Sequence, residues 1–216
     1  MADIVDPAVS DYLLDHCTPA DELLRELAAE TYAKFPPGAA GMQVSHDEGA
    51  LLTMLVQLTG ADYAVEIGTF TGYSSICIAR ALRPGGRLLA CDVSDEWTSV
   101  ARAYWAKAGL DDRIELRLAP AIETVRSLNS DPVIDFVFLD ADKTGYPAYY
   151  EEIVPRLRPG GLLVIDNVLR GGEVLDPHDE SSRAVASLND AIVTDDRVES
   201  VMLPVRDGVT LVRRRS

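Results

Sequence analysis

The chain has 216 residues, 47% of them apolar, which is long enough to bury a full-sized core and too apolar for a disordered polymer. Thirty-five acidic residues against 20 basic give a net charge of −15, a surface that repels phosphate backbones and disfavours nucleic acid as a partner. The uninterrupted apolar stretches are only strand-length, which excludes a transmembrane helix, and the start Met1-Ala2-Asp3-Ile4-Val5-Asp6 lacks the basic and apolar runs of a signal peptide.

The expected location is therefore cytoplasmic. Cys17, Cys77 and Cys91 are scattered and odd in number, which fits a reducing compartment; the latter two read as small buried hydrophobes.

Residues 1–58 read as a helical cap. The segment 21–33 brings Leu23, Leu24, Leu27 and Ala28 to one face, and 47–58 does the same with Leu51, Leu52, Leu55 and Val56. Between them, 35–41 (FPPGAAG) is expected to be a loop. From residue 62 strand-like runs (63–67, 87–91, 114–118, 133–139, 162–165) alternate with helical patterns (73–82, 96–108, 121–128, 146–157). Pro84-Gly85-Gly86 and Pro159-Gly160-Gly161 are each expected to stop a helix and turn the chain into the next strand. A further helix, roughly 182–193, precedes strands at 198–203 and 208–213. Their short link, with its Asp207-Gly208 turn, permits only an antiparallel hairpin. The fold class is thus α/β in a single domain over 1–216: a seven-stranded, mostly parallel sheet with helices on both faces and one strand running against the rest.

Two of the apolar strands run straight into acidic clusters, 133–139 into Asp140-Ala141-Asp142-Lys143 and 162–165 into Asp166-Asn167. In a parallel sheet both clusters emerge at the edge where open α/β folds bind ligands. Asp140, Asp166 and Asn167 could there share one hard divalent cation, with Lys143 beside it. Lys143 lies three residues after Asp140, within reach of a proton leaving a cation-activated hydroxyl.

The first strand of the alternating region enters a glycine turn, Glu66-Ile67-Gly68-Thr69-Phe70-Thr71-Gly72, that opens a helix. The spacing E-x-G-x-x-x-G differs from the nicotinamide fingerprint, and an acid before the turn suits a ligand with an ammonium group better than a diphosphate. Asp92, at the tip of the next strand, is placed for a ribose diol; Ser94 is free to cap the following helix instead. Together these features point to an S-adenosylmethionine pocket.

With 42–49 (MQVSHDEG), 65–74 (VEIGTFTGYS), 138–143 (FLDADK) and 165–167 (IDN) in view, the chain resembles the cation-dependent O-methyltransferases, relatives of caffeoyl-CoA and catechol O-methyltransferase, over essentially residues 40–213. The resemblance implies a Rossmann-like seven-stranded sheet with an antiparallel last strand. It implies that Glu66, Gly68 and Ser74 hold the methionine part of S-adenosyl-L-methionine, Asp92 its ribose and Asp142 its ammonium group, with Thr69 also binding the donor. Ala121 would border the adenine and Val44 would meet the donor from the N-terminal loop. Asp140, Asp166 and Asn167 match the ligands of a divalent cation, Mg²⁺ first and Ca²⁺ or Mn²⁺ as alternatives, with Lys143 as the base. The implied acceptor is an aromatic diol and the implied assembly a homodimer.

Plant relatives carry a tryptophan where Arg170 stands and a substrate-binding asparagine where Gly171 stands. The N-terminal region offers few cations, chiefly Arg25 and Lys34, for a coenzyme A phosphate. A free catechol-like acceptor is favoured, with Arg170 a candidate contact for an anionic group on it. The alternatives are methylation of hydroxyuridine in tRNA, which the acidic balance opposes, and a donor-binding protein without catalysis, which the complete acidic set opposes. The histidines His16, His46 and His178 are expected in surface or packing roles, and the tyrosines Tyr146, Tyr149 and Tyr150 are expected to pack and not to stack on a substrate.

Overall fold

The computed structural model describes residues 5–131 and 133–216, so the reading of the chain start at residues 1–4 lies outside it. No helix among the described residues is long and apolar enough to cross a membrane. Four helices, α1 (Pro7–Asp15), α2 (Glu22–Lys34), α3 (Pro37–Ala40) and α4 (His46–Thr59), precede the sheet. Helix α3 is a single turn within the segment expected to be a loop; Pro37 at its first position, with φ preset and no N–H to satisfy, makes that turn favourable.

The alternating region then runs β1 (Tyr63–Ile67), α5 (Tyr73–Ala81), β2 (Arg87–Asp92), α6 (Asp95–Lys107), β3 (Ile114–Leu118), α7 (Ala121–Ser127), β4 (Ile134–Leu139), α8 (Tyr146–Ile153), β5 (Leu157–Asp166), α9 (Glu180–Thr194), β6 (Val198–Leu203) and β7 (Val209–Arg214). The strand order is β3-β2-β1-β4-β5-β7-β6. Only β7 opposes its neighbours, pairing antiparallel with both β5 and β6. The sheet is therefore the seven-stranded, mostly parallel one expected, with its last strand reversed.

One expectation fails. Pro159-Gly160-Gly161 does not end a helix but lies inside β5, because α8 stops at Ile153 and a single 3₁₀ turn (Val154–Arg156) leads directly into the strand. Against β4 the register jumps from Ile134↔Leu157 to Phe136↔Leu162, so one residue of β4, Asp135, faces the four residues 158–161 of β5. Proline and a left-handed glycine, Gly160 at φ 77°, give the bulge its backbone. The tail Arg213-Arg214-Arg215 is partly engaged: Arg214 donates to the carbonyls of Pro155 and Leu157, and Arg215 to that of Val198.

Alternation along the strands divides the core between the two faces. Ala64, Phe136, Phe138 and Val164 point to the side covered by α2, α4, α5 and α6, where Leu27, Leu52, Val56, Ile76 and Trp105 pack. Val65, Ile67, Val137, Leu139 and Ile165 point to the side of α7, α8 and α9, among Val125, Tyr150, Val185 and Leu188. The sheet order reverses between β1 and β4, the switch point at which ligands of such sheets lie.

Two residues of β1 and its exit fix that point. Gly68 has φ 94°, and a Cβ built there would stand 2.0 Å from the carbonyl oxygen of Asp140. Only glycine lets the two chain segments approach so closely. Glu66 is fully buried, its Oε2 taking the Ser75 hydroxyl at the start of α5. Burial pushes its carboxyl up to about 7, against the lowering effect of hydrogen bonds from Ser75, Ser74 and Thr69.

Gly68→Ala is expected to lower the urea-unfolding free energy by roughly 3 kcal/mol or more, the sum of backbone strain and a clash with main chain. Glu66 supplies a pH signature. Its folded-state carboxyl titrates near 7, above the 4.5 of the unfolded chain, so between these values the native state holds a proton that the unfolded state has lost. Stability from this group is complete below about pH 4.5 and falls by on the order of 3 kcal/mol as pH rises through 7. Isosteric Glu66→Gln should therefore gain in melting temperature relative to the parent between pH 5 and pH 8; a constant difference would contradict this account.

Candidate active site

The turn after β1 is built to present backbone. Gly68, Phe70 and Gly72 all have positive φ, and Gly72 caps α5 in the left-handed region. Asp92, the last residue of β2, braces the turn: its Oδ2 accepts from the N–H groups of Thr69 (3.0 Å) and Phe70 (2.8 Å), and its Oδ1 from that of Ser94 (2.8 Å). Ser94, in turn, caps α6 through Trp97 N–H. Three of the four lone-pair directions of Asp92 are thus occupied, leaving one for a ligand hydroxyl.

These elements border a cavity of about 660 Å³ at the C-terminal ends of β1, β2 and β4. Of the residues singled out in the sequence, Val44, Gly68, Thr69, Ser74, Asp92, Ala121, Asp140, Asp142, Lys143 and Asn167 line it. Glu66 and Asp166 do not: the first lies behind the glycine turn and the second, 2% exposed, stands at the tip of β5 beside Asp140. Phe70 and Trp97 meet edge to face, 5.3 Å between centroids, at one wall. Val44 and its neighbours Met42 and Gln43 form the N-terminal rim; Gln43 Oε1 accepts from Thr71 and ties that rim to the turn.

At the other end, β4 and β5 pair in register as Leu139↔Ile165, so Asp140 and Asp166 leave adjacent strands side by side. Burial first, and then the Asp140 charge, pushes the Asp166 carboxyl up to about 7. Asp166 Oδ1 accepts from the Asn167 N–H at 2.6 Å, and Asn167 holds φ 56°, a left-handed position asparagine tolerates. Lys143 Nζ donates to Asp140 Oδ1 at 2.6 Å and to the Tyr146 hydroxyl oxygen at 2.7 Å. The Tyr146 hydroxyl itself donates to the Asp166 carbonyl at 2.9 Å. Asp142 accepts from the Tyr149 hydroxyl at 2.8 Å. Tyr146 and Tyr149 therefore do more than pack: burial suppresses ionisation of both phenols, and their hydroxyls position Lys143 and Asp142.

One acid at this end was passed over in the sequence. Glu48, 1% exposed, opens α4 and pairs with Arg206 of the β6–β7 turn at 3.4 Å, while its Oε1 has no partner. Burial, then the charges of Asp166 and Asp140, hold its carboxyl well above the usual range. The signal was present, since Glu48 sits four residues before Leu52 and eight before Val56 on the buried stripe of the helix.

Hard oxygen donors with excess negative charge and an unpartnered buried carboxylate oxygen are what a divalent cation would compensate, so the residues present fit such an ion at Asp140, Asp166 and Asn167. A different cluster, Glu173, His178 and Asp179, gathers three ligand atoms within 4.8 Å. Its Asp179 carboxylate is committed to capping α9 through Ser182. His46 bonds Tyr73 and the Thr18 carbonyl, and His16 stacks on Tyr12; neither lines the cavity. Burial pushes the Cys77 and Cys91 thiols up to about 12, as for unreactive packing residues.

Comparison with known proteins agrees with this geometry. The O-methyltransferase family model matches residues 15–215. The caffeoyl-CoA O-methyltransferase 2 of Zea mays is 41% identical over 205 residues, 89% of this chain and 76% of its own. An O-methyltransferase from Bacillus cereus, solved with S-adenosylhomocysteine, superposes with a TM-score of 0.85 at 33% identity, covering 96% of this chain and 97% of the other. One from Streptomyces achromogenes, solved with S-adenosylmethionine, gives 0.83 at 33% identity over 97% and 96%. The chain belongs to the O-methyltransferase family, as an S-adenosylmethionine-dependent enzyme of the caffeoyl-CoA O-methyltransferase type.

Proposed function

We propose that the enzyme methylates one hydroxyl of a vicinal aromatic diol, a small catechol-like molecule, with the help of a divalent cation. The reading is supported above all by the placement of Asp140, Asn167 and Lys143 on the same cavity as the glycine turn, with Asp166 beside Asp140 on the neighbouring strand. In this reading the turn from Gly68 to Ser74 and the carboxylates Asp92 and Asp142 hold the methyl donor, with Ala121 and Trp97 beside its base.

A divalent cation bound at Asp140, Asp166 and Asn167 would supply Lewis-acid activation of the diol and fix its orientation. Lys143 in its unprotonated form would receive the acceptor's proton at Nζ, which Tyr146 and Asp140 hold at the cavity wall. Tyr146 in turn anchors to the Asp166 carbonyl, so base and acidic pair keep one geometry. The apolar walls, Phe70 and Trp97 among them, exclude water from a transfer that depends on alignment of oxygen, methyl carbon and sulfur. The net charge of −15 favours a small acceptor over tRNA.

The test is methyl transfer to catechols, caffeate, its CoA thioester and tRNA, with Mg²⁺ or EDTA. Transfer to a diol that EDTA abolishes is expected, as is loss of turnover in Asp140→Asn and Asp166→Asn; full activity of either variant in EDTA would sink the cation's role. Lys143→Met should lower kcat by roughly 10²–10⁴-fold, the usual contribution of a positioned base. The KM for the donor should change little.

A further inference from the structure

Arg170 takes no part in the donor or proton chemistry described above, yet the chain holds it at a cost. Its φ is 49°, and Gly171 (64°) and Gly172 (94°) continue in the left-handed region. A side chain as large as arginine adopts that region rarely and at roughly 1–3 kcal/mol. Asp207, 1% exposed in the β6–β7 turn, imposes it: its carbonyl accepts from Leu169 N–H at 2.9 Å and its carboxylate from Gly171 N–H.

The strained residue lines the cavity with Asn167 and Lys143. Arg170 and Lys143 are the two cationic side chains of that lining, and Lys143 is already paired with Asp140. Among the described residues the Arg170 guanidinium has no salt bridge, and its Nε is buried without an acceptor. Its charge is felt at Asp179, whose Oδ1 accepts from the N–H and hydroxyl of Ser182, but the two form no salt bridge. A chain with net charge −15 repels anions, so an anionic acceptor needs a local cation.

We propose that Arg170 selects the acceptor by pairing with a carboxylate on it, so that the preferred substrates are vicinal aromatic diols carrying an acidic substituent. The inference rests on the diol reading above and narrows it. Guanidinium suits this role because its planar fork of donors matches a carboxylate, and a charge-assisted pair is about twice as strong as a neutral one.

The experiment compares 3,4-dihydroxybenzoate with catechol as acceptors for the parent enzyme, Arg170→Ala, Arg170→Lys and Arg170→Gly, with S-adenosylmethionine and Mg²⁺. The kcat/KM ratio of the acid over the neutral diol should fall roughly 10- to 100-fold in Arg170→Ala, as for loss of one charged hydrogen-bond pair. The fall should lie mainly in KM, with partial recovery in Arg170→Lys. Glycine is at ease at φ 49°, so Arg170→Gly relieves the backbone strain, and the same loss of selectivity there is not a folding defect. An unchanged ratio overturns the proposal. Should the parent methylate neither diol, the acceptor reading fails separately, and calorimetry with S-adenosylhomocysteine-loaded protein decides Arg170. Weaker binding of 3,4-dihydroxybenzoate by Arg170→Ala supports the assignment, and equal affinity or no binding by either protein overturns it.

Discussion

The approach of Gly68 to the main chain of Asp140 is the contact on which the site depends. It joins the exits of β1 and β4 so tightly that a methyl group would meet the Asp140 carbonyl at 2.0 Å. The Asp140 N–H also donates to the Ile67 carbonyl at 2.8 Å, extending the strand pairing one step past the sheet. The glycine turn and the acidic cluster therefore share a wall. A donor lying along the turn and an acceptor at the cluster are neighbours because two strands, adjacent in space but distant in sequence, end together.

Around that contact the fold concentrates negative charge. Asp140, Asp166 and Glu48 face Lys143 and Arg206, and the electrostatics of Asp166 and Glu48 both register the excess. Buried like charges are costly, and a core tolerates them only where something compensates. Here three elements contribute: α4 through Glu48, β5 through Asp166 and the β6–β7 turn through Arg206. The N-terminal helices thus do more than cover apolar surface, since α4 places a charged group against the ends of two strands. The reversed strand β7 has a similar consequence, because its turn carries Asp207 and so sets the backbone of Leu169 and Gly171 at the cavity mouth.

Much of this was legible in the residues. Strands with β-branched and apolar alternation, helices at 3.6-residue spacing and the Asp-Gly turn give the element order, and β1, β3 and β6 fall on the expected residues. The acidic tips of β4 and β5 could be read because parallel strands must deliver their ends to one edge. The Pro159-Gly160-Gly161 segment misled because the same residues that stop helices also make bulges, and only pairing with β4 decides between the two.

The sequence by itself determined the alternation of strands and helices, the reversed last strand, the glycine turn and the acids at the strand tips, because each depends on local propensity, short-range spacing and chain direction. The tertiary structure decided the rest. It turned Asp92 back onto the turn as a brace, buried Glu66 and Asp166, set Tyr146 against Lys143 and brought Glu48 to Asp166 across more than a hundred residues. Those relations depend on burial and through-space charge between distant segments, which no local pattern encodes.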